Sequence, residues 1–283
     1  MTDIIDTIAA MRDWVQRARQ SGESIALVPT MGALHRGHLA LIRRAREEAQ
    51  RVVVSIFVNP LQFGPQEDFD RYPRQLERDV EVLSQEQVDV AFAPSVDEMY
   101  PGGDSVTRVT VAPLAETLCG RARPGHFEGV ATVVAKLFHI VQPDLAVFGE
   151  KDWQQLTIIR RMVADLNFPV AVVGVPTVRE PSGLALSSRN QYLSAEERER
   201  ASAIYRALVE ARDRYREGER ARDVLATLVR SRLVAAGLTP EYVEIVDPWT
   251  LREAPETLGT AALIAVAVRL GRARLIDNVF LGH

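Results

Sequence analysis

The sequence predicts an α/β fold: a parallel sheet covered by helices on both faces, with a smaller α+β unit after it. Three observations carry this. Apolar, β-branched runs of strand length alternate with helical patterns as far as Val175. Past Asn190 the pattern changes to two long, charged helices followed by short strands. The chain has 283 residues, 47% of them hydrophobic, enough to pack one large domain or two ordinary ones.

Taken in order, residues 4–19 place Ile4, Ile5, Ile8, Met11 and Val15 at helical spacing. Residues 25–29 read as a buried strand, 38–50 as a helix with a charged outer face, and 52–58 as a second buried strand. Residues 76–83 read as helix, 88–93 as a third strand, and 106–111 as a short strand outside the main sheet. A helix over 130–141 ends at Pro143. A strand over 145–148, a helix over 153–166 and a strand over 170–175 continue the alternation. Such sheets bind ligands beyond the C-terminal ends of their strands. Segments 27–38, 57–64, 147–155 and 175–189 all follow strands and are expected to converge at one rim. Two charged helices then cover 195–217 and 220–236, broken at Gly218. Strands follow at 242–246, 262–268 and 274–278. The boundary falls within 176–190, which divides the chain into units 1–180 and 181–283.

Composition narrows the function. A net charge of -4 gives no bulk attraction for nucleic acid. No run approaches the roughly 20 apolar residues of a membrane span. Asp3 and Asp6 stand where a secretory leader would be basic and then apolar. Cys119 is the only cysteine, so no internal disulfide forms, which suits a cytoplasmic protein. Of 34 basic residues only Lys136 and Lys151 are lysine, a compact point charge with three donors.

Five segments carry chemistry. The first is Pro29-Thr30-Met31-Gly32-Ala33-Leu34-His35-Arg36-Gly37-His38, which leaves a strand and enters a helix. A helix start offers N–H groups and a positive dipole end to phosphate. His35 and His38 can donate to a phosphate chain and stabilise charge on a reacting α-phosphate. A metal pair is the other use of two histidines, but no carboxylate or cysteine lies near them in sequence. The second is Phe57-Val58-Asn59-Pro60-Leu61-Gln62-Phe63, whose amides Asn59 and Gln62 suit a substrate bearing hydroxyls and a carboxylate. Asn-Pro also opens turns. The third, Arg121-Ala122-Arg123-Pro124-Gly125-His126-Phe127, offers Arg123 and His126 to an anion. The fourth is Phe148-Gly149-Glu150-Lys151-Asp152-Trp153-Gln154-Gln155. Lys151 offers a cation, and Asp152 either accepts from a ribose or caps the helix. Gln155 lies in that helix's first turn. No G-x-x-x-x-G-K-[ST] is present, which argues against a P-loop kinase or ATPase. The fifth is Leu184-Ala185-Leu186-Ser187-Ser188-Arg189-Asn190, two hydroxyls and a guanidinium able to grip phosphates, or a plain polar linker.

These strings resemble the pantothenate synthetase (pantoate–β-alanine ligase) family of the HIGH-motif nucleotidyltransferase superfamily. The likeness lies in P-T-M-G-A-L-H-x-G-H, V-N-P-x-Q-F, R-P-G-H-F, F-G-E-K-D-[YW]-Q-Q and the Ser-Ser-Arg loop, the counterpart of KMSKS. Tyr242–Pro248 and Arg274–Asn278 add to it, so it covers nearly the whole chain. Relatives often carry Met where Leu186 stands.

The resemblance implies a Rossmann-like N-terminal domain with a C-terminal α+β lid. It implies condensation of pantoate with β-alanine through a pantoyl adenylate, using ATP and Mg²⁺ and releasing AMP and pyrophosphate. Catalysis would fall to His38, His35 and Lys151. ATP would be held by Met31, Gly32, His35, His38, Gly149, Lys151, Asp152, Val178, Leu186, Ser187, Ser188 and Arg189. Pantoate and β-alanine would be held by Gln62, Gln155, Asn59, Arg123 and His126. Asp79 matches an acid of the family's Y-P-R-x-x-x-x-D stretch and is the candidate near the metal, beside Arg78 where relatives can be acidic. The resemblance also implies a homodimer. Two other readings stand beside it: an adenylyltransferase that passes AMP to a phosphate ester, and a nucleotide-binding module without turnover.

Overall fold

The structure is a computed structural model that describes residues 2–65, 67–103 and 107–282. Its internal contacts fall into two units. The first comprises Met1–Ala115, Arg123–Glu150 and Ile158–Pro176, and the second Glu116–Ala122, Lys151–Thr157 and Thr177–His283.

The first unit is built on a six-stranded sheet. Its strands are β1 (Asp3–Ile5), β2 (Ile25–Thr30), β3 (Arg51–Ile56), β4 (Val90–Phe92), β5 (Leu145–Gly149) and β6 (Ala171–Val175). They lie in the order β1-β4-β3-β2-β5-β6, every pair parallel. Ile25 to Val28 and Val52 to Val54 are buried, as continuous apolar runs must be when both faces are covered. The chain steps from β2 outward to β3 and β4, then returns to β5 on the other side of β2. The strand order therefore reverses between β2 and β5, and such sheets take ligands beyond the C-terminal ends of their strands at a switch of this kind.

The helices of this unit follow their signals. Thr7 caps α1 (Ile8–Gln20) by accepting from Ala10 N–H. α2 (Arg36–Glu48) buries Leu41, Ile42 and Ala45 among Val28, Val54 and Val147 of the sheet. α3 (Leu76–Gln85) adds Leu83 to that core. Ser95 caps the short α4 (Val96–Met99). α5 (Leu118–Ala122) belongs to the second unit. α6 (His126–Val141) is buried on nearly every side, a core helix rather than an amphipathic one. α7 (Trp153–Leu166) begins in the second unit and continues in the first.

The second unit holds an antiparallel sheet of β7 (Thr239–Val246), β8 (Leu263–Leu270) and β9 (Ala273–Phe280), and besides α5 and the start of α7 it carries three further helices among the described residues. These are α8 (Ala195–Ala201), α9 (Ala203–Arg216) and α10 (Arg222–Ala235). Ile204, Leu208, Leu225 and Val229 pack with Ile264 and Val266 in one core.

Three expectations are corrected. Ile4 and Ile5 are not helical; they extend as β1, paired with Ala91 and Phe92 of β4. The strand over 106–111 does not form across Thr107–Val111, where Val109 N–H instead donates to Thr132 Oγ1 at 2.9 Å; Val106 lies outside the described residues. The helix over 195–217 is two helices, divided at Ser202, whose hydroxyl bonds back to the Glu199 carbonyl. Among the described residues no helix is long and apolar enough to cross a membrane.

Candidate active site

The histidine segment leaves β2 at the switch. Thr30 Oγ1 donates to Ser55 O (2.6 Å) and accepts from Gly32 N–H (3.1 Å), which starts the turn. Gly32 (φ 78°) and Ala33 (φ 52°) then adopt left-handed conformations in succession. Asp79, 1% exposed on α3, accepts from Ala33 N–H through Oδ2 at 2.9 Å and from Leu34 N–H through Oδ1 at 2.8 Å. Both oxygens of the residue expected near a metal thus accept hydrogen bonds from this loop. Among the described residues, no group of three or more His, Cys, Asp or Glu could hold a metal ion.

The loop delivers His35 as the N-cap of α2. His35 Nδ1 accepts from Gly37 N–H (3.1 Å) and His38 Nδ1 accepts from His35 N–H (3.2 Å). The hydrogen-bond pattern therefore assigns the tautomer: each neutral ring carries its proton on Nε2. The two rings stack at 4.1 Å between centroids. A helix N-terminus with two adjacent Nε2–H donors is an anion site in its chemistry.

Gln62 is set by a chain of amides. Asn59 is 1% exposed. Its Oδ1 accepts from Tyr100 O–H (2.9 Å) and Leu61 N–H (3.3 Å), and its Nδ2 donates to Gly129 O (3.0 Å) and Gln62 Oε1 (3.1 Å). Gly129 O can only accept, so the Asn59 amide cannot flip. Gln62 must then turn its oxygen to Asn59 and its Nε2 outward, where it meets Met31 Sδ at 3.3 Å. From its buried position Asn59 therefore orients Gln62. Burial pushes the Tyr100 hydroxyl above its ordinary range, which keeps it a proton donor.

Arg123 and His126 close on the same turn. His126 Nδ1 lies 2.8 Å from Gln62 O, an acceptor, so Nδ1 carries the proton and Nε2 accepts from Arg123 Nη1 at 2.9 Å. Arg123 also grips Glu67 through Nε and Nη2, both at 2.6 Å. Burial raises the Glu67 carboxyl, but the Arg123 hydrogen bond and charge, with Gly64 N–H, hold it below its ordinary value. Gly149 ends β5, in register with Val175. Burial raises the neighbouring Glu150 carboxyl against the pull of Arg160.

The second unit holds the other expected residues. Lys151 Nζ and Asp152 Oδ2 stand 3.5 Å apart, and Asn278 Nδ2 fixes the Lys151 carbonyl at 2.9 Å. Gln155 is partly exposed on α7, whereas Gln154 is buried and bonds Cys119 N–H (3.0 Å) and Thr117 O (2.8 Å). Leu186 N–H donates to Val178 O at 3.0 Å, and Ser187 Oγ accepts from Arg189 N–H at 3.3 Å, the start of a 3-10 turn over Ser188–Tyr192. Asn190 Nδ2 donates to Ala185 O (3.0 Å), pinning the loop that presents Ser187, Ser188 and Arg189. Arg179 anchors its base, with both nitrogens on Asp277 (2.6 and 2.9 Å) and its face over Tyr205.

Tyr100, Glu67, Gly129 and Asn278 escaped sequence reasoning. Each acts through a partner distant in sequence, and none stands at a spacing that announces it. Gly129, which follows the third segment, carried the best signal. A Cβ there would meet the Leu61–Gln62 backbone, so only glycine allows the close approach.

Residues 3–280 match the family model for pantoate-beta-alanine ligase. The chain is 54% identical over 280 residues to a pantothenate synthetase of Moorella thermoacetica, covering 99% of this chain and 98% of that protein. A crystal structure of pantothenate synthetase from Thermus thermophilus superposes with a TM-score of 0.94 at 51% identity, over 100% of both chains. A pantoate-beta-alanine ligase from Francisella tularensis, complexed with beta-gamma ATP and beta-alanine, gives 0.81 at 36% identity over 99% and 98% of the two chains.

Proposed function

Since this chain belongs to the pantoate-beta-alanine ligase family, we propose that it condenses pantoate with β-alanine by first adenylating the acid with ATP. The observation that carries the chemistry is the H-x-G-H start of α2, with both Nδ1 atoms accepting backbone N–H and Nε2 thereby assigned the proton in both rings, where the chain leaves β2 beside the switch to β5. The ATP complex of the Francisella relative supports ATP as the substrate.

In the first step a pantoate carboxylate oxygen attacks the α-phosphorus of ATP. The bond to the α,β-bridging oxygen breaks and pyrophosphate leaves. His35 and His38 donate Nε2–H to the phosphates, where charge accumulates as that bond breaks. Met31 and Gly32 line the nucleotide, and Gly149 leaves room beside it. Lys151 supplies a fixed cation, Asp152 accepts from the ribose, and Val178, Leu186, Ser187, Ser188 and Arg189 complete the hold on ATP. Gln62 donates Nε2–H to the acid, and Gln155 adds a second amide. In the second step the neutral amine of β-alanine attacks the acyl carbon. The bond from that carbon to the phosphate-linked oxygen breaks, AMP departs with the oxygen, and the nitrogen loses one proton. Positioning and charge stabilisation suffice, and no covalent enzyme intermediate is required.

Mg²⁺ would enter on the phosphates of ATP, as part of the substrate. The donor groups described above offer it no ready-made protein cage. We extend the reading to a homodimer located in the cytoplasm, the former checked by light scattering of the purified protein.

The test is purified protein with Mg·ATP, pantoate and β-alanine, followed by separation of products. Pantothenate and AMP in equal amounts, dependent on all three substrates, are expected. ADP in place of AMP, or an adenylylated phosphate ester as end product, would overturn the proposal. Nucleotide binding without turnover would favour a binding module.

A further inference from the structure

We propose that Asp79 is the positioning residue of the histidine loop, acting through the Ala33 and Leu34 N–H groups and not on a metal. The inference rests on reading that loop as the phosphate-binding segment.

Three observations converge. Asp79 is 1% exposed, and its two oxygens accept from consecutive backbone N–H groups at 2.9 and 2.8 Å, from a helix some 45 residues further along the chain. A carboxylate buried this deeply persists only where its lone pairs are met by donors, and here both oxygens are. Ala33 lies at φ 52°, a left-handed conformation that a residue with a Cβ adopts where its surroundings impose it. The bonds to Ala33 and Leu34 supply that constraint. Finally, a Cβ on Gly32 would stand 2.8 Å from Asp79 Oδ2 and 3.1 Å from Ile56 Cγ2. The loop is moulded onto the carboxylate with no space between them.

The consequence passes down the chain. Leu34 N–H is held one residue before His35, whose ring caps α2 and whose N–H fixes the His38 ring. Asp79 therefore sets where both Nε2–H donors point without touching a ligand. Asparagine cannot replace it, because its NH₂ would face a backbone N–H. Glutamate keeps the charge but is one methylene too long for a loop already in contact. A metal ligand would behave otherwise: glutamate would retain much of its function, and excess Mg²⁺ would offset its loss.

The experiment measures Asp79→Asn and Asp79→Glu beside the wild type, with KM for ATP and for β-alanine, kcat, and a Mg²⁺ titration. Both variants are expected to raise the ATP KM at least about tenfold and to lower kcat. The β-alanine KM should stay within about twofold, and added Mg²⁺ should restore nothing. An unchanged ATP KM, recovery by Mg²⁺ or by glutamate, or a uniform loss in all constants with a lowered melting temperature would overturn the proposal. Residue-resolved amide exchange on the wild type judges it even if the variants do not fold. Ala33 and Leu34 N–H should be strongly protected, and exchange at the unprotected rate would refute the clamp. A wild type that exchanges slowly there but forms no product would sink the functional reading and leave the clamp standing.

Discussion

Gly129→Ala should damage acid recognition from a position that touches no substrate. Gly129 lies where α6 passes the turn at Pro60–Gln62. A Cβ built there stands 2.5 Å from the Leu61 carbonyl carbon and 2.7 Å from Gln62 N, with Leu61 O closer still. Carbon contacts are comfortable near about 3.5 Å, so the turn must retreat by roughly 1 Å. Its neighbours are backbone atoms, and no rotamer change relieves them. Such overpacking costs about 1–3 kcal/mol. The Asn59 Nδ2 bond to Gly129 O, 3.0 Å in the wild type, is stretched at the same time, adding roughly 1 kcal/mol. Because that bond orients Asn59, and Asn59 orients Gln62, the displacement reaches the amide assigned to the acid. A misplacement of about 1 Å can cost on the order of 100-fold in rate. The assay is steady-state kinetics with pantoate varied at saturating ATP and β-alanine, alongside thermal unfolding. The expected result is a fall in kcat/KM for pantoate of between about tenfold and 100-fold, with melting lowered by several degrees. A kcat/KM within about twofold of wild type in a protein of unaltered melting would refute the reasoning.

Other outcomes follow from the same geometry. His38→Ala removes the Nε2–H donor proposed for phosphate and the acceptor for His35 N–H; kcat should fall about 100- to 1,000-fold, while circular dichroism stays native. Asp277→Ala strands Arg179 beneath Tyr205, where the side chains of the ion pair are only 3% and 16% exposed. Urea unfolding should register a loss of about 3–5 kcal/mol, confined to the second unit. Asp144 supplies a pH prediction. Burial raises its carboxyl, but Arg19 Nη1 at 2.7 Å and Ile25 N–H at 2.7 Å hold it below its ordinary value. Its folded form is thus the weaker proton binder, so its contribution is full above the unfolded carboxylate range near pH 4 and is lost as pH falls through the lowered value. Melting measured from neutral pH to about pH 2 should therefore decline less steeply on the acid side for Asp144→Asn than for the wild type.

The sequence carried the alternating strands and helices well, because each buried strand of the first unit is a continuous apolar run. Val52 to Val54 can be buried on both faces only inside a covered sheet. It failed where one residue decided the backbone. Ile4 and Ile5 fit the helical period of the segment after them, but Thr7 caps that helix and releases them to the sheet edge. Ser202 divides a charged helix through one hydroxyl that the surrounding pattern conceals.

At the site, the motifs named the residues but not their partners. The resemblance implies Asn59 and Gln62 as substrate contacts, and the structure adds that Asn59 is buried and bonds Gln62. The third segment offers Arg123 to an anion, and the structure adds the Glu67 carboxylate that holds it with two bonds. Asp79 matches the acid that the resemblance places near a metal, and a sequence shows its charge but not the Ala33 and Leu34 N–H groups from which it accepts. Contacts between residues far apart in the chain, such as Tyr100 to Asn59 and Asn59 to Gly129, exist only once the sheet has folded.

Activation of the acid as an acyl adenylate is tested most directly by following one oxygen. Pantoate carrying ¹⁸O in its carboxylate is turned over with Mg·ATP and β-alanine, and the label is located in the nucleotide formed. AMP containing one ¹⁸O per pantothenate made is expected, because the attacking oxygen stays on phosphorus when the amine displaces it. Unlabelled AMP, or label in inorganic phosphate with ADP as the nucleotide, would contradict it.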